Sequence, residues 1–386
     1  MILKNFRLLN GKGEPAKEGI MIRVKDGVIA DIAEEISAED EILDLSGMTV
    51  LPGLIDLHVH LGGAVELTDP PMQGSEEMYS RKCEMLLDKG VTSVRSGGDF
   101  EKALLKFRRD RGNSIPRIFA CGKSFQAAMG HPVYTVWGGA REVAEETAYF
   151  VTDRKKIKNE VRRQKAAGAD HIKAFLCDFN VMTGEEVPAL SGEDIRAIAA
   201  AAHECGMKLM VHCESPADVL TALEAGADTI EHMVSSGAPE AAPPEKVKEE
   251  FLRTEACFIP TLAIRHCISK LTDVCDPREE ILRDTVKDYF ESGVDIALGT
   301  DSGVAGVPIG EAAHIELELL CKAGIPPVKA LQMAGEKAAS VLGREDLGVI
   351  EIGALADLIV IAGRPDECIS DIRKISMVML GGKIVR

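Results

Sequence analysis

The stretch Leu51-Pro52-Gly53-Leu54-Ile55-Asp56-Leu57-His58-Val59-His60 is an apolar run that ends on two histidines. Residues i and i+2 of a strand face the same side, so the imidazoles of His58 and His60 point into one space. Two neutral imidazoles side by side suit a divalent transition metal such as zinc. Taken alone, the His-x-His pair is equally consistent with ordinary core or surface histidines. Its place at the end of a strand that reads as buried favours the metal.

Working outward from this run, a loose rhythm recurs. A helix-like stretch, a glycine and a short apolar strand follow one another at Gly90, Gly168, Gly206, Gly226 and Gly293. Glycine just past a helix end adopts the left-handed conformation at little cost, and the chain then enters a strand. Ile195, Ile198 and Ala202 can share one helix face, as can Val219, Leu220 and Leu223. Eight strand candidates result: 51–60, 91–97, 117–125, 171–177, 208–214, 229–233, 257–263 and 296–302. Alternating helices and short buried strands imply βα units and a parallel sheet, and eight units are the count for a closed (β/α)8 TIM barrel. An open doubly wound sheet shares the pattern. The barrel is preferred because polar residues gather at the C-terminal ends of so many of these strands.

The two ends of the chain read differently. Segments 20–24, 28–32 and 41–45 are short and strand-like, with a Lys25-Asp26-Gly27 turn, and so are 347–352, 356–361 and 376–385, with Gly381-Gly382 as a hairpin turn. The expected organisation is a composite β-sandwich domain from 1–50 plus 347–386 around a barrel at 51–346.

More candidate ligands occur at matching strand ends. Asp170-His171-Ile172-Lys173-Ala174-Phe175 places a lysine inside an apolar strand. Lysine is seldom buried unless paired or neutralised, so either a Lys–carboxylate pair or a carbamate formed with CO₂ would account for Lys173. His212 and His232 each stand six residues after a glycine, and Asp301 ends the eighth strand. Six potential nitrogen and oxygen ligands at corresponding positions are hard to assign to packing.

The ordered set His58, His60, Lys173, His212, His232 and Asp301 resembles that of the amidohydrolase superfamily. Thr49-Val50-Leu51-Pro52-Gly53-Leu54-Ile55-Asp56 and Gly353-Ala354-Leu355-Ala356-Asp357-Leu358-Ile359-Val360 extend the resemblance to both ends. It implies the binuclear branch: two divalent metal ions, zinc the expected species, with N6-carboxylysine at Lys173 bridging them. His58, His60 and Asp301 would hold one ion and His212 and His232 the other. A hydroxide between the ions would attack, with Asp301 as acid and base.

Within the superfamily the chain is most similar to the metal-dependent dipeptidases acting on Xaa-Pro or Xaa-Arg/Lys, the prolidase-like and imidazolonepropionase-related group. The residues that carry this are Gly90-Val91-Thr92-Ser93-Val94-Arg95 with Gly97-Gly98, Met129-Gly130-His131 and Ile172-Lys173. The group's pattern implies that His131 polarises the scissile carbonyl. Relatives commonly carry Arg-Asp where this chain has Arg95-Ser96. The expected substrate is a small-molecule amide, a dipeptide or an N-acyl amino acid. A cyclic amide (hydantoinase, dihydroorotase or imidazolonepropionase type) or a lactone is the alternative, and a non-enzymatic interaction protein is disfavoured by the intact ligand set. Glu214 could face a substrate amine or form a salt bridge within the protein. Arg265 and His266 could meet a substrate carboxylate, and the 129–137 segment, with Tyr134 and the single Trp137, could form a lid.

Composition bounds the rest. The 386 residues carry 62 acidic and 45 basic side chains, a formal charge of −17. That balance argues against nucleic acid and against an anionic membrane surface, which are met by Lys and Arg. No signal peptide or spanning segment is read, and ten scattered cysteines with no Cys-x-x-Cys pair read as free thiols in a reducing cytoplasm. The oligomeric state stays open, a homo-oligomer among the options.

Overall fold

The structure, a computed structural model, describes residues 1–64, 72, 74–181, 183–233, 245–272 and 277–386. Of the cysteines, Cys275 lies outside these residues; the nine others are free thiols, six of them buried.

The chain is α/β. A three-stranded parallel sheet joins Leu54–Val59, Val91–Ser96 and Arg117–Phe119. A six-stranded parallel sheet runs in the order Ala148–Phe150, Ser124–Gln126, Ile172–Leu176, Leu209–Cys213, Thr229–His232 and Cys257–Ile259. Isolated parallel bridges connect Cys121 with His171, Phe258 with Ile296 and Val59 with Ser302. Ile172–Leu176 and Leu209–Cys213 are buried at every position. Lys173 and His212 apart, they therefore read as apolar runs rather than alternations, as strands covered on both faces do.

The five punctuating glycines behave as their positions imply. Gly90, Gly168, Gly206, Gly226 and Gly293 all have positive φ, and Gly168 and Gly226 are left-handed C-caps. Helix starts are equally local. Ser191 accepts from the Asp194 backbone N–H while the Asp194 carboxylate accepts from the Ser191 N–H, a capping box that opens helix Gly192–Glu204. Ser191→Ala is expected to cost about 0.5–2 kcal/mol by urea unfolding; an unchanged midpoint would show that the box adds nothing to stability.

Strands from the two ends of the chain come together. A five-stranded sheet has the order Lys383–Ile384, Ile375–Leu380, Leu358–Ile361, Thr49–Pro52 and Arg7–Leu8, and a four-stranded sheet the order Val28–Ala33, Met21–Lys25, Ile2–Lys4 and Ile42–Asp44. One apolar cluster holds Leu3, Ile22 and Val50 together with Leu358, Val360 and Met379.

Several strand expectations need correction. The run 51–60 is two strands. Thr49–Pro52 pairs antiparallel with Leu358–Ile361, and Leu54–Val59 pairs parallel with Val91–Ser96. The break falls at Pro52-Gly53, where proline has no N–H for a continuing ladder. Segment 117–125 is likewise split, into Arg117–Phe119 and Ser124–Gln126. Strand Cys257–Ile259 is shorter than 257–263, because helix Leu262–Thr272 starts there with its Leu262 and Ala263 N–H groups donating to Glu316. Segment 296–302 makes isolated bridges rather than a ladder, and 347–352 contains no strand. Ala148–Phe150 was not anticipated; its three residues carry too little pattern to read.

Candidate metal centre

Strand register gathers the predicted ligands. Cys213 is paired with His232 and His212 with Glu231, while Val59, between the two histidines of the first run, bridges Ser302 beside Asp301. His58 Nε2 lies 3.4 Å and His60 Nε2 3.0 Å from Asp301 Oδ1, and His232 Nδ1 lies 4.0 Å from Asp301 Oδ2. The ring of His232 is 4.9 Å from that of His58 and 4.6 Å from that of His212, and the His131 ring is 4.6 Å from the His212 ring. Phe175, two residues after Lys173 on the same face, packs 5.1 Å from His212, with Lys173 Nζ 4.7 Å above its ring. The six expected ligand residues and His131 thus line one region.

Hydrogen bonds settle which ring nitrogens face inward. His58 Nδ1 is 2.8 Å from Glu231 Oε2, and His60 Nδ1 is 2.9 Å from the Gly98 carbonyl. An ionised carboxylate and a carbonyl only accept, so both Nδ1 atoms carry the hydrogen, and both Nε2 lone pairs confront Asp301. Three acceptors whose atoms all lie within 4.8 Å of one another repel unless a cation or proton sits among them. Lys173 is fully buried and its Nζ has no hydrogen-bond partner. Burial is the main force drawing its pKa down to about 8, so a neutral amine able to take up CO₂ is accessible near neutral pH. His58 is lowered to about 4 and His131 to about 3, chiefly by burial, and His212 and His232 well below the ordinary value. Neutral imidazoles are the form that binds metal. The donor set fits divalent cations.

The backbone bends sharply here. His232, Thr261 and Asp301 all have positive φ, and Thr261 Oγ1 is 2.7 Å from His232 Nδ1. Left-handed backbone at non-glycine residues costs roughly 1–3 kcal/mol each and clusters at functional sites. Gly97 allows close approach: a Cβ there would lie 2.5 Å from His58 Nε2.

Two buried networks escaped the sequence reading. Glu231 accepts from Arg95 Nη2 at 2.8 Å, Thr229 Oγ1 at 2.6 Å and His58 Nδ1, while Arg95 Nε also donates to the Leu57 carbonyl. Burial opposes the ionisation of Glu231, but Arg95 and His58 outweigh it and hold its carboxyl below the usual range. A carboxylate within an apolar strand was the available signal. Asp56, also in an apolar run, accepts from Thr300 Oγ1 at 2.6 Å and is raised to about 7 by burial. Asp99, rather than residue 96, supplies the acid near Gly97-Gly98; it accepts from Ser96 Oγ and the Gly62 N–H.

The expected mouth residues divide. His131 is buried in the site, with Nδ1 2.7 Å from Thr135 Oγ1, and Trp137 packs edge-on to His60 and Phe175. Tyr134 is 39% exposed and stacks near Phe150, away from the histidine cluster's own ring contacts. Arg265 and His266 lie on helix Leu262–Thr272. Arg265 Nη2 meets Glu214 Oε2 at 2.9 Å and His266 Nδ1 meets Glu279 Oε1 at 3.1 Å, so all three are engaged by protein partners. Among the described residues no helix is long and apolar enough to cross a membrane.

Residues 49–385 match the model of the amidohydrolase family. The crystal structure of a Xaa-Pro dipeptidase with methionine bound in its active site superposes with a TM-score of 0.84 at 28% identity, covering 100% of this chain and 99% of its own. Uncharacterized protein Rv2915c of Mycobacterium tuberculosis (strain ATCC 25618 / H37Rv) is 24% identical over 390 residues, 97% of this chain and 94% of its length. A dihydroorotase of Bacillus cytotoxicus is 46% identical over 61 residues, 16% of this chain and 14% of its own.

Proposed function

The chain belongs to the amidohydrolase family and is a hydrolase of carbon–nitrogen bonds, and from that premise we propose that it is a binuclear metal-dependent dipeptidase or N-acyl-amino-acid hydrolase. The observation that carries the substrate class is likeness to a Xaa-Pro dipeptidase along the whole chain. The dihydroorotase match spans only 61 residues, which keeps cyclic amides as the second reading. The test is a panel of Xaa-Pro, Xaa-Arg and Xaa-Lys dipeptides and N-acyl amino acids, run beside dihydroorotate, hydantoins and lactones. Turnover confined to the cyclic amides or lactones would overturn the dipeptidase reading.

In this reading His58, His60 and Asp301 would hold one ion and His212 and His232 the other, and Lys173, once carboxylated, would be a ligand to both. Zn²⁺ suits nitrogen and carboxylate donors. When bound, two such ions acidify water and polarise a carbonyl. Asp301, held below the ordinary carboxylate range by His58 and His60 against the opposing effect of burial, receives the proton of the attacking water and passes it to the leaving amine. His131 steadies the oxygen of the scissile carbonyl. Its Nδ1 is 2.7 Å from the Thr135 hydroxyl, which is 3.5 Å from its other acceptor, the Pro132 carbonyl. The hydroxyl hydrogen is therefore better placed on Nδ1, leaving Nε2–H to donate to substrate. His131→Asn is expected to lower kcat by roughly 10²–10³-fold with zinc retained; an unchanged kcat would remove His131 from the chemistry.

The same reading treats the parallel strands as one closed eight-stranded barrel, supported by the Val59–Ser302, Phe258–Ile296 and Cys121–His171 bridges. It divides the chain into that barrel and a sandwich domain from both ends, supported by their shared apolar cluster. Nine free cysteines among the described residues support a reducing compartment, the cytoplasm.

A further inference from the structure

Three of the four metal-facing histidines have a partner on one ring nitrogen. Glu231 takes His58 Nδ1, the Gly98 carbonyl takes His60 Nδ1, and Thr261 Oγ1 pairs with His232 Nδ1. His212 is different: its Nε2 is buried and has no hydrogen-bond partner. Two residues further along, on the same face of the strand end, Glu214 places Oε1 3.7 Å from that nitrogen. The carboxylate is 6% exposed, and its other oxygen is fixed by Arg265 Nη2 at 2.9 Å. Arg265 thus supplies the countercharge that a buried carboxylate requires, and it orients Oε1 toward the imidazole.

Resting on the two-metal reading above, we propose that Glu214 is a positioning residue for the second cation. At 3.7 Å no hydrogen bond is yet made; a small approach of Oε1 on metal binding would let it accept the Nε2–H of His212, fixing the tautomer and leaving the Nδ1 lone pair for the ion. Acceptors of this kind set ring orientation and ligand basicity, and their loss weakens metal binding by roughly 10–100-fold. The inverted tautomer follows from the side of the ring on which the acceptor stands. Glu231 reaches Nδ1 of His58 from a strand that does not pair with His58's own, whereas Glu214 stands on the Nε2 side of His212 at the end of the same strand. The Glu214–Arg265 salt bridge becomes a brace for the metal site.

The experiment equilibrates the zinc-loaded full chain with graded chelator and counts zinc retained per chain by elemental mass spectrometry, independent of turnover. Glu214→Leu is expected to release the weaker zinc at roughly 10–100-fold lower chelator strength while the tighter zinc stays put. Glu214→Gln, whose amide oxygen can still accept, is expected to recover most of the difference. Arg265→Met removes the countercharge but leaves the acceptor in place, and is expected to release the weaker zinc at a chelator strength between those of the wild type and Glu214→Leu. Should the leucine variant fail to fold, Glu214→Ala makes the same comparison. Wild-type retention of both ions by the leucine or alanine variant overturns the inference. So does equal loss in Glu214→Gln, which would make the carboxylate itself a ligand, and so does equal loss in Arg265→Met, which would make the salt bridge the requirement. Wild-type protein holding fewer than about one zinc per chain would overturn the two-metal reading, and this inference with it.

Discussion

Replacing Lys173 by alanine is expected to lower kcat/KM by roughly 10³-fold or more, about 4 kcal/mol of barrier, and to release bound zinc. The side chain is fully buried on strand Ile172–Leu176, where a bare ammonium without a hydrogen bond would be costly. What surrounds Nζ is the face of Phe175, with Glu231 and Asp301 favouring the charged form less strongly than burial disfavours it. A structural Lys–carboxylate pair would have shown a carboxylate oxygen within bonding range, and the amine has none. Conversion to a carbamate makes the residue anionic and gives it two oxygens for two cations. Alanine removes the ligand together with three side-chain methylenes and the amine nitrogen, leaving a space that a short carboxylic acid can enter. Millimolar acetate or propionate is therefore expected to restore part of the activity and of the zinc. Unaltered turnover in Lys173→Ala, measured with its zinc content, would end the carbamate assignment.

What the sequence made legible and what it hid divide along physical lines. The candidate ligands were legible because each breaks a local rule. Histidine, lysine and aspartate do not belong at the ends of apolar strands unless something there uses them. The five glycines were legible because a helix that stops and a strand that starts need a left-handed residue between them. Partners separated by long stretches of chain were not. Arg95 and Glu231 stand 136 residues apart and meet only through the order of the parallel strands. Arg95-Ser96 in place of an expected Arg-Asp pair looked like a departure, yet an acid is present three residues after Ser96, as Asp99, and accepts from the Ser96 hydroxyl. Strand 257–263 was read too long for a local reason. Helix Leu262–Thr272 begins immediately after strand Cys257–Ile259, and Ile259-Pro260-Thr261-Leu262 continues the apolar run without a stop signal. The sharp turn is made at Thr261, whose positive φ no β-branched residue advertises.

Glu231→Gln is expected to destabilise the protein by about 3–5 kcal/mol and to loosen the ion held by His58. Arg95 is almost wholly buried, and its guanidinium is bonded to Glu231 Oε1, Thr229 Oγ1 and the Leu57 carbonyl. Neutralising the one carboxylate in that set leaves a buried cation with only neutral acceptors, the situation in which breaking an ion pair costs more than the pair ever contributed. The same change weakens the acceptor on His58 Nδ1, so the imidazole loses the partner that aims Nε2 at Asp301. The pH dependence has a definite sign. Because the folded carboxyl is held below its unfolded value of ~4.3, its contribution is present above that value and lost as pH falls toward the folded one. The wild type should accordingly lose stability steeply below about pH 4, and Glu231→Gln should show a shallower loss over that window from a lower starting level. Urea unfolding at pH 7, 5 and 3.5 on zinc-loaded protein measures both effects. Equal slopes with pH in the two proteins would show that Glu231 is not ionised in the fold, and that the Arg95 charge is balanced elsewhere.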